Sequence, residues 1–382
     1  MANRIFYASQ QVGIAQDAST TFTAIHGVQS VSSSTNFNLV QVFELGQISI
    51  YDNIEQIPEV NFSISKVLDG YPLIYHLATR DALTPTLSGR STSKCLIAVG
   101  IFSDSANSCT GTPISQVQAS GMFVSSLSYS FTTEDNFTES VSFVGNNKVW
   151  ANDANNINTL PWTNAGSLTF TGAFASLDSP EGSGGVNRRQ NLLLATSFTS
   201  SDNNGMIDDP DCTILPPDVF GISASGVNRK SNGQDFDAHL QSISVNVDLN
   251  REELNELGRR GPYARIPNFP VEVTCEIQVT STSGDMVSAT EAGIRGNAAD
   301  STCSSVANLQ NRTIRIATCE GTRIYLGLLN KLSAVSYSGG DAGGGSVTVS
   351  YSYANFNDCS VLHSGDPNVN FLWANRATYL VD

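Results

Sequence analysis

The feature that most constrains the fold is an internal repeat with a constant spacing. Matching residues recur 212 positions apart (241 minus 29, and 270 minus 58) without a gap over thirty residues. The matched pairs are Gln29 and Gln241, Asn38 and Asn250, Gly46 and Gly258, Tyr51 and Tyr263, Ile54 and Ile266, and Pro58 and Pro270. Self-similarity at a fixed spacing indicates duplication of a structural unit. We therefore predict two homologous domains, at 1–200 and 201–382.

Weaker matches continue the repeat towards the C-terminus. They are Leu127-Ser128 with Leu332-Ser333, 140–143 with 346–349, and Asn187-Arg188 with Asn375-Arg376. The spacing falls from 212 to about 206 and then to 188 (375 minus 187), so the first copy carries extra residues. We expect them in the Asn/Gly-rich segment 152–185, as an insertion or extension of the first domain.

Alternation of apolar and polar residues predicts strands in both copies. The alternating segments are 61–64, 242–248, 271–277 and 346–353. A period of two places every second side chain on the same face of a sheet. The glycine-rich run 338–345 reads as a hairpin turn, and 132–136 is its counterpart in the first copy. The fold class is therefore mainly β, with each domain closed into a sandwich or barrel.

Short helices are predicted on the flank of each domain. Asn250 suits an N-cap, Glu253 the capping box and Gly258 a left-handed end, which predicts a helix over 250–257. Asn38, Gln41 and Gly46 hold the same positions in the first copy. A second helix is predicted over 71–79 with Pro72 in its first turn, and its counterpart over 285–291.

Composition excludes several classes of protein. The net charge of -15 argues against a nucleic-acid-binding domain, which needs basic residues to neutralise phosphates. With 40% hydrophobic and only 14% charged residues, the chain is too apolar for acidic disorder. We expect neither a secretory signal nor a transmembrane helix, because no sufficiently long apolar run is present.

The sequence predicts no catalytic, cofactor-binding or metal site. The four histidines are His26, His76, His239 and His363, and no GxSxG motif accompanies them. The acidic run 202–211 lacks calcium-loop spacing, so we interpret it as a surface loop. The basic clusters 184–189 and 226–230 lack a phosphate-loop motif, so we expect them to meet acidic surface on a neighbouring copy.

Seven cysteines without a signal peptide favour free thiols. None forms a CxxC motif, and no histidine lies at ligand spacing from a cysteine pair, which argues against zinc. Oxidation of Cys95 with Cys109, or of Cys303 with Cys319, stays open at this point, because spacing alone does not fix the distance between them.

The repeated segments resemble the tail tube proteins of long-tailed bacteriophages. The resemblance rests on the order of strand, capped helix, "ELG", proline and strand in both halves of the chain. The segments that carry it are 26–31, 42–51, 57–60 and 67–72 in the first copy, and 251–263 and 269–273 in the second. The segments 152–185 and 298–311 depart from the family pattern.

The resemblance implies a virion structural protein. In that family a β-sandwich domain with a flanking helix joins its neighbours in a ring, and stacked rings form the hollow tube that delivers DNA. A tandem duplication then needs only three chains for a pseudo-hexameric ring. An acidic wall would let DNA pass without specific binding. Implied partners are other copies of the chain and, in the tail, sheath, tape measure and baseplate proteins. No membrane is implied, and assembly is expected in the host cytoplasm.

Two other functions stay open. A tube-related baseplate or tail-terminator component would share the fold without polymerising. A glycan-binding adhesive module would need clustered exposed aromatic residues, and of the tryptophans only Trp150 and Trp162 lie close in sequence. An enzyme is the least favoured class, because no catalytic motif is present.

Overall fold

Antiparallel strands dominate the computed structural model, which confirms the mainly β fold class. The structure describes residues 5, 7–16, 22–103, 113–151, 185–193, 213–216, 219, 238–258, 261–281, 287, 309, 311–339, 345–363 and 366. The expected insertion at 152–185 and the predicted helix at 285–291 lie almost wholly outside these residues. The acidic run 202–211 and the basic cluster 226–230 also lie outside them.

Nineteen strands and two short helices are found in the described part of the chain. In the first half the strands are β1 (Gln10–Gln16), β2 (Thr23–Ala24), β3 (Val28–Asn36), β4 (Leu39–Phe43), β5 (Ile50–Glu55), β6 (Glu59–Val67), β7 (Cys95–Ile101), β8 (Ser115–Thr132), β9 (Thr138–Gly145) and β10 (Asn147–Ala151). In the second half they are β11 (Ala238–Asp248), β12 (Arg251–Leu254), β13 (Ala264–Pro267), β14 (Glu272–Ser281), β15 (Arg315–Ala317), β16 (Arg323–Tyr325), β17 (Lys331–Ser338), β18 (Thr348–Phe356) and β19 (Ser360–Leu362). The helices are α1 (Ile74–Ala78) and α2 (Leu87–Ser91), and 3-10 turns lie at Tyr7–Ser9 and Arg189–Asn191.

The largest sheet runs through both halves of the chain. Eight of its strands pair in the order β3-β6-β9-β8-β11-β14-β18-β17, and every pairing is antiparallel. Strand β8 is long enough to pair with a second set of strands as well. Its first half, up to Met122, pairs with β7 and β10, and β7 leads on to β1 and β2.

Alternating side chains give the eight-stranded sheet one apolar face. Each of six strands directs apolar residues inwards at every second position. Typical of them are Phe62 and Ile64 of β6, Ile243 and Val245 of β11, and Tyr351 and Tyr353 of β18, all at most 1% exposed. Burial of each such side chain contributes roughly 1.5–3 kcal/mol. The predicted strands at 61–64, 242–248, 271–277 and 346–353 therefore lie in this sheet, except that β14 begins after residue 271 and β18 begins after residue 347.

The predicted helix over 250–257 is wrong, because this segment begins a β-hairpin. Strand β12 pairs with β13 in register from Arg251 and Pro267 to Leu254 and Ala264. The first copy repeats the arrangement, with β4 paired to β5. A helix shorter than about twelve residues is marginal unless it buries an apolar stripe, and 250–257 contains only two leucines for that purpose.

The second predicted helix is present but shorter than expected. Helix α1 covers Ile74–Ala78 within the predicted segment 71–79, and all five of its residues are buried. Helix α2 was not predicted. Its N-cap is Thr86, whose hydroxyl accepts a hydrogen bond from the Gly89 amide at 3.2 Å.

The left-handed conformation expected at Gly258 is found in the hairpin turn. Gly258 has a φ of +84°, and Gly46, its counterpart, has a φ of +93°. We expect Gly258→Val to lower the free energy of unfolding by about 1 kcal/mol, because a β-branched residue is strained at positive φ.

The change at Gly258 is measured by thermal unfolding. The matched control is Gly261→Val, since Gly261 lies in the same connection, has no positive φ and also has open space around its Cα. Equal stability of the two variants would contradict the strained turn.

Candidate assembly edges

The two halves of the chain meet at the β8–β11 pair. The pairing runs from Ser126 opposite Asp248 to Thr132 opposite Ser242, and Val245 lies directly opposite Tyr129. Tyr129 is 1% exposed at this junction. A continuous backbone ladder between β8 and β11 therefore joins the two halves of the chain.

Both groups of four strands have the same internal order and the same irregularities. The first group is β3-β6-β9-β8 and the second is β11-β14-β18-β17. A bulge falls at Gln29 in β3 and at Gln241 in β11. A second bulge falls at Ser125 in β8 and at Ser333 in β17. After the first strand of each group, Asn38 and Asn250 both adopt positive φ, at 46° and 39°.

The bulges change the alignment of the later strands. They match β8 to β17 at a spacing of 208 (333 minus 125), so Leu127 corresponds to Val335 rather than to Leu332. The bulge-anchored pairing likewise matches Ser142 to Ser352, a spacing of 210, so the segment 140–143 corresponds to 350–353 rather than 346–349. The spacing of 212 near Gln29 is retained.

Each end of the eight-stranded sheet has an open edge. Among the described residues, β3 pairs only with β6 and β17 pairs only with β18. Tyr337 of β17 corresponds to Tyr129 at the internal junction but is 59% exposed. The free edges are thus the same two strand types that pair at the internal junction.

The solvent face of the sheet carries mainly hydroxyl and amide groups. One row of directly opposed residues crosses all eight strands: Ser30, Ser65, Ser140, Ser128, Asn246, Thr274, Ala354 and Lys331. Among the described strand residues on this face, the carboxylates are Glu59, Asp248, Glu272 and Glu276, and Lys331 is the cation. This face therefore presents excess negative charge and little apolar area.

The β12–β13 hairpin is seated on the first half of the chain. The Arg251 guanidinium donates to the carbonyl oxygens of Val124 at 2.6 Å and Ser91 at 2.5 Å. It also lies 4.9 Å from the ring centre of Phe123. Burial lowers the pKa of Arg251 to about 10, which leaves the side chain charged at neutral pH.

An ionic contact completes the seat of this hairpin. Arg265 of β13 pairs with Glu253 of β12 and donates to Asn146 Oδ1 at 3.2 Å. Asn146 in turn donates from Nδ2 to Glu253 at 3.4 Å. Burial lowers the pKa of Arg265, and the nearby Glu59 carboxylate opposes that shift. Charged groups therefore fix the hairpin to the β8–β9 end.

A second polar cluster surrounds helix α1. The Glu139 carboxylate accepts from the amides of Ile74 at 2.6 Å and Tyr75 at 3.1 Å, and from the Tyr129 hydroxyl at 3.1 Å. Burial raises the pKa of Glu139, and the charge of Lys66 opposes this shift. Lys66 itself lies 3.1 Å from Asp69. These contacts tie the helix to β6, β8 and β9.

A third group joins α1 and α2 to the end of the described chain. Arg90 donates to the Asp366 carboxylate at 2.5 Å and to the Thr79 hydroxyl at 2.7 Å. His76 donates from Nε2 to the Val361 carbonyl oxygen at 3.0 Å, and its Nδ1 lies 3.8 Å from Asp366. All of these side chains are buried, so the group is closed to a substrate from solvent.

The absence of a catalytic or metal site stays a prediction. No group of three or more His, Cys, Asp and Glu side chains is placed there to hold a metal ion. His26 contacts Asp69 at 2.5 Å, His76 and His363 are buried with ring centres 6.4 Å apart, and His239 lies exposed at the start of β11. Cys95, Cys275, Cys319 and Cys359 form no disulfide bond, while Cys109 and Cys303 lie outside the described residues.

The basic cluster at 184–189 is partly described. Arg188 donates from Nε to Asn136 at 3.1 Å, across the turn that joins β8 to β9. This contact engages the Arg188 guanidinium, one of the charged groups of the cluster, within the chain.

Among the described helices, none is long and apolar enough to cross a membrane.

The functional groups missed by sequence reasoning are buried charges in strands. Lys66 and Glu139 are both 0% exposed, and each alternates with apolar residues that face the core. That alternation is the available signal, because it places both charges on the inward face. The hairpin seat had no comparable signal, since 250–257 matched a capped helix.

Comparison with known proteins gave structural matches alone. No protein-family model and no curated protein matches the chain. A solved structure of an extracellular contractile injection system, the sheath/tube terminator in the extended state, is similar at a TM-score of 0.31 and 13% identity; 39% of this chain covers 98% of that one. The baseplate of an anti-feeding prophage is similar at a TM-score of 0.29 and 8% identity, with 40% and 97% covered. A chain from a gene transfer agent virion is similar at 0.25 and 13%, with 37% and 95% covered.

The buried His76 makes a pH-dependent contribution to the free energy of unfolding. Burial lowers the pKa of His76 from 6.5 to about 4, with the Arg90 charge acting in the same direction and Asp366 opposing it. The unfolded chain therefore binds more protons between these values, and stability falls as the pH falls from 6.5 to 4. Burial also lowers the pKa of His363.

We expect His76→Gln to remove part of this acid sensitivity. Between pH 7.5 and pH 5 the variant should lose about 2 kcal/mol less unfolding free energy than the wild-type chain, because its amide does not titrate. Denaturant unfolding at both pH values measures the difference. His239→Gln, on an exposed strand end, is the control and should follow the wild type; an acid sensitivity unchanged in His76→Gln would contradict the assignment.

Proposed function

We propose that this chain is a phage tail tube subunit, a virion structural protein that assembles head to tail into rings. The single observation that carries the proposal is the eight-stranded sheet with its two complementary open edges. Open strand edges expose unpaired backbone N–H and C=O groups and invite pairing with another chain. A contact between two different surfaces closes into a ring when the rotation per subunit fits.

The chain is, on this proposal, a tandem duplication of one tube domain, divided at about residue 200. The matched bulges at Gln29 and Gln241, and at Ser125 and Ser333, support the duplication because bulges occupy specific positions in a fold. Three such chains would supply the six domains of a pseudo-hexameric ring.

The internal junction defines the expected register between chains. Asn246 lies opposite Ser128 at the β8–β11 pair. Asn246 corresponds to Ser34 at the spacing of 212, and Ser128 corresponds to Ser336 at the spacing of 208. An equivalent junction between chains would therefore place Ser34 of one chain opposite Ser336 of the next. The same correspondence places Ser33 opposite Tyr337, which would cover the exposed tyrosine ring.

The solvent face of the sheet supports a role as the wall of a channel. Ring closure would turn this face of every chain towards one side of a continuous barrel. Its carboxylates, Glu59, Asp248, Glu272 and Glu276, would repel DNA phosphates, and its many hydroxyls give no cationic site for DNA to bind. Such a lumen suits passage of DNA without retention.

Stacking of rings is supported by a set of apolar residues that both hairpins expose. The pairs are Leu45 and Leu257, Tyr51 and Tyr263, and Ile54 and Ile266, each at least 40% exposed. The members from the second hairpin remain exposed although that hairpin is already seated. An apolar surface left over in this way is available for contact with a further ring.

The assembly state tests the proposal directly. We expect negative-stain electron microscopy of the purified full chain to show rings or stacked tubes with a central channel, and image averages to show three chains per ring. Six chains per ring would overturn the trimeric arrangement. Single rings that never stack would favour a baseplate or tail-terminator role, and a monomer at high concentration would exclude the polymerising protein.

Cysteine cross-linking tests which strand edges meet. We expect a mixture of the Ser34→Cys and Ser336→Cys variants to form covalent dimers with a short thiol-reactive cross-linker. Each variant alone should give only the wild-type background, which the native thiols such as the exposed Cys319 set. Dimers from either variant alone would instead indicate symmetric pairing of like edges.

A further inference from the structure

We propose that the β4–β5 hairpin of one chain is seated on the β17–β18 end of the neighbouring chain, with Leu39, Gln41 and Asn53 at the positions where the internal junction has two arginines and a glutamate. The inference rests on the proposed ring. It assigns a second contact to the chain-to-chain junction and gives that contact its chemistry.

The two hairpins differ sharply in burial on one face. Cross-strand pairing places Arg251, Glu253, Arg265 and Pro267 on one face of the second hairpin. The same pairing places Leu39, Gln41, Asn53 and Glu55 on the corresponding face of the first. The face on the second hairpin is half-buried or buried throughout, whereas all four residues on the first are exposed. The first hairpin thus lacks the seat that the second one has.

The vacant counterpart of that seat lies at the end of the second group of strands. Bulge-based alignment matches Asn146, which binds Glu253 and Arg265, to Phe356, and it matches Val124 to Leu332. Phe356 is 60% exposed at the end of β18. It lies opposite Glu272 on β14, as expected for the counterpart of Asn146 beside Glu59.

Three charged residues of the internal hairpin are replaced by uncharged ones on the free hairpin. At the internal junction two guanidiniums and a carboxylate meet the Asn146 amide and backbone carbonyls. At the corresponding free surfaces Leu39 replaces Arg251, Gln41 replaces Glu253 and Asn53 replaces Arg265, and Phe356 replaces Asn146. Phe356 would therefore pack against the Gln41 and Asn53 side chains, and Leu39 would pack beside Leu332.

The polarity difference prevents exchange of the two hairpins. If the β12–β13 hairpin entered the vacant seat, Arg265 would face the Phe356 ring in place of the Asn146 amide. Arg265 would then keep Glu253 as its ionic partner but lose its hydrogen bond to Asn146, and a desolvated guanidinium that loses a hydrogen-bond acceptor is unfavourable. The β4–β5 hairpin, with Asn53 at this position, is therefore the one that fits the neighbouring chain, and the order of the two domains around the ring is fixed.

A charge introduced at Phe356 tests the contact. We expect Phe356→Glu to raise the protein concentration needed for ring formation at least tenfold, as measured by sedimentation velocity and electron microscopy. Addition of Asn53→Lys should recover most of the loss, since the lysine would face the new carboxylate across the junction. The matched control adds Val40→Lys instead, at an exposed residue on the opposite face of the same hairpin, and should give no recovery.

Further measurements separate folding from assembly. Leu83→Glu, at a 90% exposed leucine outside both hairpins, should assemble like the wild type. Circular dichroism shows whether each variant is folded. A mixture of two otherwise wild-type variants, Asn53→Cys and Phe356→Cys, should cross-link between chains. This test does not depend on any introduced charge.

The outcomes distinguish this inference from the proposed function. Rings from wild-type protein together with normal assembly of Phe356→Glu and no cross-link between positions 53 and 356 would overturn the hairpin contact and leave the ring intact. Equal recovery by Asn53→Lys and Val40→Lys would also overturn it. A wild-type chain that forms no rings, with no cross-link between positions 34 and 336, would overturn the proposed function.

Discussion

The hydrogen-bonded ladder between β8 and β11 is the contact on which the rest of the structure depends. A strand in a sheet needs partners for its backbone groups, because each unpaired group removed from water costs free energy comparable to a lost hydrogen bond. This ladder pairs the last strand of one group with the first strand of the next. The corresponding ladder between chains is left unmade, so the fold itself exposes the surfaces that we propose for assembly.

The side chains around the sheet reinforce this arrangement by separating three chemistries. Apolar residues fill the inward face, hydroxyls and carboxylates cover the solvent face, and buried charges tie helix α1 to the strands. The buried charges are tolerated because each has partners, as Glu139 has in two backbone amides and the Tyr129 hydroxyl.

The sequence predicted the strands well because burial on one face leaves a period of two, as in 242–248. It misassigned 250–257 because a capping pattern and a hairpin can share the same residues. Asn250 and Gly258 do adopt positive φ, but the backbone between them pairs with Ala264–Pro267. Long-range contacts of this kind decided the structure, and local propensity could not reveal them. The match between the two free edges also depended on bulge positions, which shift the alignment of β8 with β17 by three residues.

Duplication within one chain lets two equivalent junctions acquire different chemistry. In a ring of six identical domains, a substitution at one junction would appear at all six. In a chain with two copies, the junction within the chain can use Arg251, Glu253 and Arg265. The free-energy cost of desolvating these charged groups then arises once, during folding. The junction that we propose between separate chains would then rely on uncharged groups such as Leu39 and Phe356, whose burial carries no such cost. On the proposed assembly, the ionic internal seat and the external seat at Phe356 both follow from the same repeat.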